Sequence, residues 1–253
     1  SAASDVDERQ RVDAPESPAC VLAEALTVRM ASLTLSGPDG DLPPGYARFV
    51  AGGSLLRRHR PGHDPAWFGP PVGTLGENRF DPPHARRPDE PGVCYLAEQL
   101  GGVLHEGVLR GVRWPAFSRQ TLSTHHAVSE AIIQRDLVLI DLVHEPGIHG
   151  VQLADIAQRP QVAAKLTSPV GLVYPVTQTL AGEWLSRNAR RDFPVDGGRV
   201  DGVLYVSRFA PAQRCIALWD HAASALSWNA SVPLGRHPSL EATLAAMGIS
   251  LLD

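Results

Sequence analysis

Cysteine and lysine are both scarce in this sequence of 253 residues. The three cysteines, Cys20, Cys94 and Cys215, lie far apart, and Lys165 is the only lysine. No two cysteines have the spacing of a thiolate zinc site or a redox pair, and an odd number does not suggest a disulfide framework. The cysteine content therefore indicates a reducing compartment, and we expect a cytoplasmic protein.

Long apolar runs and strong charge are absent as well. No apolar stretch approaches the ~20 residues that a membrane-spanning helix requires. Residues 1–18 are polar and acidic, and they lack the basic start and apolar core of a signal peptide. The net charge is −4 and the pI is near 6.2, which leaves no electrostatic footprint for nucleic acid. We therefore expect neither a membrane nor a nucleic acid as a direct partner.

Several motifs that carry chemistry are missing from the sequence. Neither glycine-rich phosphate loop occurs, and no serine lies in a Gly-x-Ser-x-Gly turn. His59 and His63 are four residues apart, but Pro61 and Gly62 between them prevent the helix that would pair them. His125 and His126 are adjacent, and in a strand they would point to opposite faces. We therefore predict no metal site.

The composition and pattern that are present predict an α+β protein. Hydrophobic residues make up 43% of the chain, enough for a core. Strands are predicted from Tyr46, at 93–98 and at 137–143, with a hairpin at 201–208 and 214–220 whose turn contains Pro211. Helices are predicted to about Arg110, at 174–188 and near the C-terminus. Strands and helices do not alternate regularly, which favours α+β over a doubly wound sheet.

The chain divides into three parts by composition. Residues 1–20 are predicted to be a disordered tail, because they contain few large apolar groups. Residues 21–44 are predicted to be a helical extension, in which residues 20–35 have helical spacing. Residues 45–253 are predicted to form one domain. Within it, residues 57–92 contain eight prolines and are predicted to be mostly loop, and a loop of this length is often functional.

Four segments, in order, are similar to the RES domain. They are YARFV, which contains Arg48; WFGPPVGTLGENRFDPP, which contains Arg79; GVCYLAEQLGGVLHEGVLRG, which contains Tyr95 and Glu106; and DGVLYVSRFAPAQRCIALWD, which contains Ser207. The family takes its name from an Arg, a Glu and a Ser, which are matched here by Arg48, Glu106 and Ser207. The resemblance covers roughly residues 45–250.

The resemblance implies a fold like that of ADP-ribosyltransferases, in which two small β-sheets form an NAD cleft surrounded by helices. It implies an NAD+-degrading enzyme, a glycohydrolase or a phosphorylase with inorganic phosphate as co-substrate. It further implies a bacterial toxin that is restrained by a helix-turn-helix antitoxin. The sequence leaves open whether the protein forms a homo-oligomer and whether it is delivered into another cell.

The matched residue types suit cleavage of the nicotinamide–ribose bond. Glu106 would stabilise positive charge that develops on the ribose. Arg48 and Arg79 would bind the pyrophosphate through their planar forks. Tyr95 would offer a flat face to the nicotinamide ring, and Ser207 would donate a hydrogen bond to a phosphate or to the carboxamide.

Each of these residues also has a simpler structural interpretation. Glu106 and Arg110 are four residues apart, the spacing of a surface ion pair on a helix. Tyr95 alternates with apolar residues, as a tyrosine in the core does. Ser207 could end its strand, and Arg79 could bond nearby carbonyl groups in a loop.

Two other functions remain open at this stage. One is transfer of ADP-ribose to a protein or a nucleic acid, which would use the same residues with a different acceptor. Transferases of the wider fold often carry a Glu or Gln two residues before the catalytic Glu, and that position is Leu104 here. The other is a binding module that has lost turnover, against which the intact Arg, Glu and Ser argue.

Overall fold

A large mixed β-sheet organises the part of the chain that the structure describes. The computed structural model describes residues 33–35, 42–110, 114–144 and 174–253. The predicted tail at 1–20 and most of the predicted helix at 20–35 lie outside the described residues. The described ranges all belong to one compact unit, Ala31–Asp253.

Ten strands of the described residues form this sheet. They are β1 (Leu33–Leu35), β2 (Tyr46–Phe49), β3 (Ser54–His59), β4 (Val93–Ala97), β6 (Ala127–Ile133), β7 (Leu137–Asp141), β8 (Gly202–Ser207), β9 (Ala210–Trp219), β10 (Leu226–Trp228) and β11 (Val232–Pro233). Along one path their order is β1-β2-β7-β8-β9-β4-β3-β6-β10, and β11 pairs with β6 beyond that path. Only β7 and β8 are parallel within the sheet.

A second, small sheet and four α-helices accompany the large sheet. The small sheet pairs β5 (Ala116–Ser118) in parallel with β12 (Ser250–Leu252). The helices are α1 (Leu100–Leu104), α2 (Arg119–His125), α3 (Tyr174–Arg190) and α4 (Leu240–Ala246), and α1 continues into a π-helical turn, His105–Leu109. Within these ranges no helix combines the length and the apolar character needed to cross a membrane.

The large sheet is buried on both of its faces. Alternate residues of each strand point to opposite faces, so Cys94 and Leu96 of β4 belong to one apolar cluster and Val93 and Ala97 to the other. The second of these clusters also contains Leu104 of α1, with further apolar side chains from α3 and α4. Residues of β4 that point to the helix-bearing face are therefore placed beneath α1.

The coarse fold prediction, mixed helices and strands without regular alternation, is confirmed. The predicted strands at β2, β4 and β7, the hairpin and the helix α3 are all present. The two sheets differ from the expected pair of small sheets, because one has ten strands and the other has two. The predicted hairpin turn is also wrong in detail, since Pro211 lies within β9.

Two further differences concern the start of the described chain. Leu33–Leu35 is a strand, not the end of a helix, because its backbone pairs antiparallel with β2. The strands β3 and β6 were not expected. The charged sequence of β3, SLLRRH, does not show an apolar alternation, and only its pairing with β4 and β6 makes it an interior strand.

Candidate active site

A row of four side chains, one from each of four adjacent strands, forms the floor of a cavity. Leu56 of β3 is opposite Ala97 of β4, Ala97 is opposite Cys215 of β9, and Cys215 is opposite Tyr205 of β8. Residues in register on adjacent strands point to the same face, and all four line this cavity. The sheet register therefore brings together parts of the chain that are distant in sequence.

The turn that follows α1 covers this floor. Gly102 lies so close to the sheet that a Cβ atom on it would be 2.8 Å from the Cβ of Ala97. The chain then widens into the π-helical turn, which ends at Arg110 in a left-handed conformation with φ of 44°. Such turns are frequent at functional sites. Glu106 and Gly107 of this turn line the cavity.

The Glu106 carboxylate is bonded to Ser207. The Ser207 hydroxyl donates a 2.5 Å hydrogen bond to Oε1 of Glu106 and accepts one of 3.2 Å from the backbone N–H of Phe209. Ser207 lies at the end of β8, where the register with β9 shifts, and it is completely buried. Ser207 therefore lies behind the cavity wall, where its hydroxyl supports the Glu106 carboxylate.

The surface ion pair considered for Glu106 does not form. The Nε of Arg110 donates instead to the backbone carbonyl of Glu106, at 3.3 Å. Glu106 itself is half-buried, while Val103 and Leu109 on either side of it are buried. The carboxylate therefore faces the cavity and its serine partner.

Arg79 is held tightly in the cavity wall. Its side chain is buried, and Nη1 donates to the carbonyl of Val206 at 3.2 Å. Its guanidinium lies 5.4 Å from the ring centroids of both Phe80 and Tyr205, within the range of cation–π attraction. Arg79 is thus a fixed positive charge that lines the same cavity as Glu106.

Tyr95 lines the cavity with its ring and anchors the neighbouring loop with its hydroxyl. The hydroxyl donates to Oδ1 of Asp81 at 3.0 Å and accepts from the backbone N–H of Phe80 at 2.9 Å. Asp81 also accepts two hydrogen bonds from Asn78. Burial raises the pKa of the Asp81 carboxyl, although its hydrogen bonds with Asn78 and Tyr95 act in the opposite direction. Tyr95 therefore helps to set the position of Arg79, which lies between Asn78 and Phe80.

Helix α3 supports the same loop from its outer side. The side-chain amide of Gln178 donates to the carbonyl groups of Gly76 and Asn78. The buried Trp184 of α3 lies against Phe80, with ring centroids 6.5 Å apart. The loop that contains Arg79 is therefore fixed between the sheet and α3.

Arg58 lies in the cavity wall, and the sequence alone did not reveal it. Its stem packs on the π-helical turn, where a Cβ atom on Gly107 would be 3.0 Å from its Cδ. Its Nε and Nη2 donate to Nδ1 of His126 at 3.0 and 2.7 Å. Burial lowers the pKa of Arg58, and the nearby Arg110 and Arg60 lower it further. The guanidinium groups of Arg58, Arg60 and Arg110 are thus close enough to repel one another.

The structure does not bring Arg48 to this cavity, contrary to the expectation from the resemblance. Arg48 lies on β2, which pairs with β1 and β7, and β7 separates it from β8, the nearest strand of the cavity floor. Its Nη1 is 3.3 Å from the Asp136 carboxylate, and both side chains are partly exposed. Arg58, in contrast, lines the same cavity as Glu106.

A wider groove continues outward from this cavity. The inner cavity has a volume of about 150 Å³ and the outer groove about 760 Å³. Both are lined by Arg58, Asn78, Tyr95 and Arg110. The groove also contains Trp67, which is 52% exposed. The two spaces together can accommodate a ligand that is longer than one ring, with an anionic part near the arginines.

No group of three or more His, Cys, Asp or Glu side chains suited to a metal ion occurs among the described residues. His59, one of the histidines considered above, contacts the hydroxyl groups of Ser129 and Ser231 and the carbonyl of Arg60.

The fold and the cavity together define a mixed α and β protein whose polar site combines a serine-bonded glutamate with several arginines. The family model of the RES domain matches residues 54–240. The chain therefore belongs to the RES-domain family, and the resemblance seen in the motifs is confirmed. Arg79, Tyr95, Glu106 and Ser207 lie inside the matched range, whereas Arg48 lies outside it.

No curated protein matches the chain in sequence. Among solved structures, the chain is similar to one described as "Crystal structure of the M.tuberculosis MbcT-MbcA toxin-antitoxin complex". The identity is 15%, the TM-score is 0.44, and the alignment covers 71% of this chain and 82% of the other.

Proposed function

We propose that this protein is an NAD+-degrading enzyme that cleaves the nicotinamide–ribose bond. The observation that carries the proposal is the Glu106 carboxylate, which is bonded to the buried Ser207 and lines the same cavity as Arg58, Arg79 and Tyr95. A carboxylate held beside fixed positive charges suits a reaction in which a sugar ring becomes cationic while phosphates are bound nearby. The substrate itself is inferred from family membership.

In this reaction the bond between nicotinamide nitrogen and ribose carbon breaks, and nicotinamide leaves with the bonding electron pair. The ribose becomes oxocarbenium-like, and the Glu106 carboxylate stabilises that charge. An oxygen of water or of inorganic phosphate then bonds to the ribose carbon. If the acceptor is water, it loses one proton to the solvent. The Ser207 hydroxyl acts through Glu106, because it donates to Oε1 and is fully buried.

The arginines and Tyr95 are assigned to the parts of the substrate that Glu106 does not contact. We assign the pyrophosphate to Arg58 and Arg110, which line both the inner cavity and the outer groove. Arg79 supplies a fixed positive charge deeper in the wall, and the Tyr95 ring lies where a flat nicotinamide could stack. This arrangement supports a relationship to the ADP-ribosyltransferases, which remains part of the proposal. Arg48 has no role in it.

The proposed biological role is that of a bacterial toxin, which depletes NAD+ in the cytoplasm. A second protein, an antitoxin of helix-turn-helix type, would then restrain it by covering the cleft. Both statements derive from family membership. Expression of the chain alone should stop growth, and co-expression of a neighbouring gene that encodes such an antitoxin should restore growth and yield a complex on purification.

The enzyme activity is tested with purified protein and NAD+, in buffer with and without phosphate, by following nicotinamide and ADP-ribose products. Glu106→Ala is the inactive comparison. Loss of NAD+ that requires Glu106 supports the proposal, and dependence on phosphate distinguishes a phosphorylase from a glycohydrolase. If NAD+ stays intact in both buffers, the proposal that the protein degrades free NAD+ is wrong. Labelled ADP-ribose that appears on protein would instead identify a transferase.

A further inference from the structure

The contact between Arg58 and His126 lies immediately behind the cavity wall. Arg58 lines the cavity, whereas His126 does not. Nε and Nη2 of Arg58 both point at one atom, Nδ1 of His126, at 3.0 and 2.7 Å. An arginine can only donate hydrogen bonds, so Nδ1 of His126 is the acceptor and the imidazole is neutral.

His126 is itself held on both sides through its backbone. Its N–H donates to the carbonyl of Leu122 at 3.0 Å, and its carbonyl accepts from the N–H of Leu234 at 2.8 Å. The residue sits at the junction between α2 and β6, and β6 pairs with β3, the strand that contains Arg58. The backbone of His126 is therefore fixed beside β3, and its imidazole supplies an acceptor for the guanidinium of Arg58.

The neutral state of His126 has an electrostatic consequence. A carboxylate at this position would hold the guanidinium equally well but would cancel its charge. The pKa of His126 is lowered to about 4, by burial first and then by the charge of Arg58 and by His125. At neutral pH the pair therefore keeps the full positive charge of Arg58, and three of its five N–H donors remain for a ligand.

We infer that His126 is a positioning residue, whose neutral imidazole orients Arg58 towards the anionic part of the substrate without cancelling its charge. His126 acts through Arg58 and does not touch the substrate. The inference rests on the proposed function, because that function gives Arg58 its ligand. It goes beyond that proposal by assigning a role to a residue outside the cavity.

Three substitutions separate the effects of orientation, charge and packing. His126→Asn keeps an acceptor oxygen near the position of Nδ1 and keeps the site neutral. His126→Asp gives a side chain of nearly the same shape as asparagine but adds a negative charge. His126→Leu removes the acceptor altogether. His125→Leu is the matched control, because the neighbouring imidazole is exposed and has no hydrogen bond to Arg58 among the described contacts.

The first readout is the kinetics of NAD+ consumption. We expect His126→Asn and His125→Leu to stay within about threefold of the original KM, while His126→Leu raises KM about tenfold or more, the usual scale for a hydrogen bond to a charged group. His126→Asp should raise KM by at least as much, because it neutralises Arg58. The kcat should change little in each, since binding is the property that is altered.

The second readout does not require activity. The Arg58 Nε–H resonance, assigned by its loss in Arg58→Lys, should be slow to exchange with water in the original protein, in His126→Asn and in His126→Asp. It should exchange rapidly in His126→Leu. Binding of inorganic diphosphate, measured by calorimetry, should weaken in His126→Leu and His126→Asp alone.

Two results would overturn the inference. One is an equal loss in the Asn, Asp and Leu variants, which would indicate that the imidazole only fills space. The other is an unchanged Arg58 Nε–H signal in His126→Leu. If the original protein leaves NAD+ intact, the proposed function fails, and the Arg58 Nε–H comparison still decides whether His126 orients Arg58.

Discussion

The hydroxyl of Ser207 donates a 2.5 Å hydrogen bond to the carboxylate of Glu106, although the two residues are 101 positions apart in the sequence. The bond joins the π-helical turn after α1 to the end of β8. Ser207 has no exposed surface. Its hydroxyl therefore cannot replace the hydrogen bond to Glu106 by one to water unless the structure opens locally. The pair therefore holds the carboxylate in one orientation towards the cavity.

Removing the charge of Glu106 should abolish most of the activity without disturbing the fold. Glu106→Gln keeps the shape and can still accept from Ser207, but it loses the charge that stabilises the cationic ribose. We expect NAD+ consumption to fall about 100-fold or more, and Ser207→Ala to reduce it by about tenfold. Glu241→Gln, at a carboxylate with 76% exposure, is the control. Full activity in Glu106→Gln would contradict the proposed site.

Different effects on NAD+ kinetics are predicted for substitutions at Arg58 and at Arg48. Arg58→Lys should raise the KM for NAD+ by about tenfold, because lysine cannot replace the planar fork. Arg48→Lys should leave KM and kcat nearly unchanged, because Arg48 does not line the cavity. Its partly exposed ion pair with Asp136 also contributes little to stability. Steady-state kinetics of both variants decide between them. A well-folded Arg48→Lys protein without activity would show that Arg48 takes part in binding or catalysis.

Tyr95→Phe separates the ring of this residue from its hydroxyl. The variant keeps the flat ring but leaves the buried Asp81 without one hydrogen bond and the N–H of Phe80 without its acceptor. We expect a loss of about 1–3 kcal/mol in the free energy of unfolding, measured with urea, and a KM close to the original. A large rise in KM with unchanged stability would show that the hydroxyl contacts substrate.

Acidification should destabilise the protein in a range set by four histidines whose pKa is lowered by burial or partial burial. The pKa of His126 is lowered from 6.5 to about 4, chiefly by burial, and burial also lowers the pKa of His59, His105 and His237. In the unfolded chain these groups take up protons near pH 6.5, whereas in the folded chain they resist. The stabilisation is therefore complete above pH 6.5 and is lost as the pH falls towards 4.

The measurement is the free energy of unfolding between pH 7.5 and pH 4. His126→Asn should make this profile flatter than that of the original protein, because one of the proton-binding differences is removed. If the two profiles had the same slope, His126 would not be protected from protons in the folded state.

Gly202 should be essential for the fold, not for the chemistry. A Cβ atom on this residue would lie 2.1 Å from the backbone oxygen of Ala217 on the neighbouring strand. Gly202→Ala should therefore lower the free energy of unfolding by about 3 kcal/mol. Gly182→Ala, where the nearest atom is 3.2 Å away in Pro83, should change it by less than about 1 kcal/mol. Equal effects of the two variants would contradict the strand geometry.

The motifs contain residues of the candidate site together with residues that only stabilise the fold. Asp201 and Gly202 belong to the segment that resembles the RES domain, yet their contacts are structural. The Asp201 carboxylate accepts from both terminal nitrogens of Arg135 and from the N–H of Val138. The same segment contains Ser207, which supports Glu106. A motif therefore indicates which residues matter, but it does not show whether a residue serves packing or the reaction.

The sequence alone determined the elements whose pattern is local. Apolar runs identified β4, β7 and α3, and the motifs identified Arg79, Tyr95, Glu106 and Ser207 as site candidates. Arg58 could not be found in this way, because SLLRRH has the composition of an exposed loop. Its place in the cavity depends on strand pairing and on His126, which follows 68 residues later. Only the tertiary structure decided that Arg58, and not Arg48, lines the same cavity as Glu106, since sheet register joins residues that no local pattern relates.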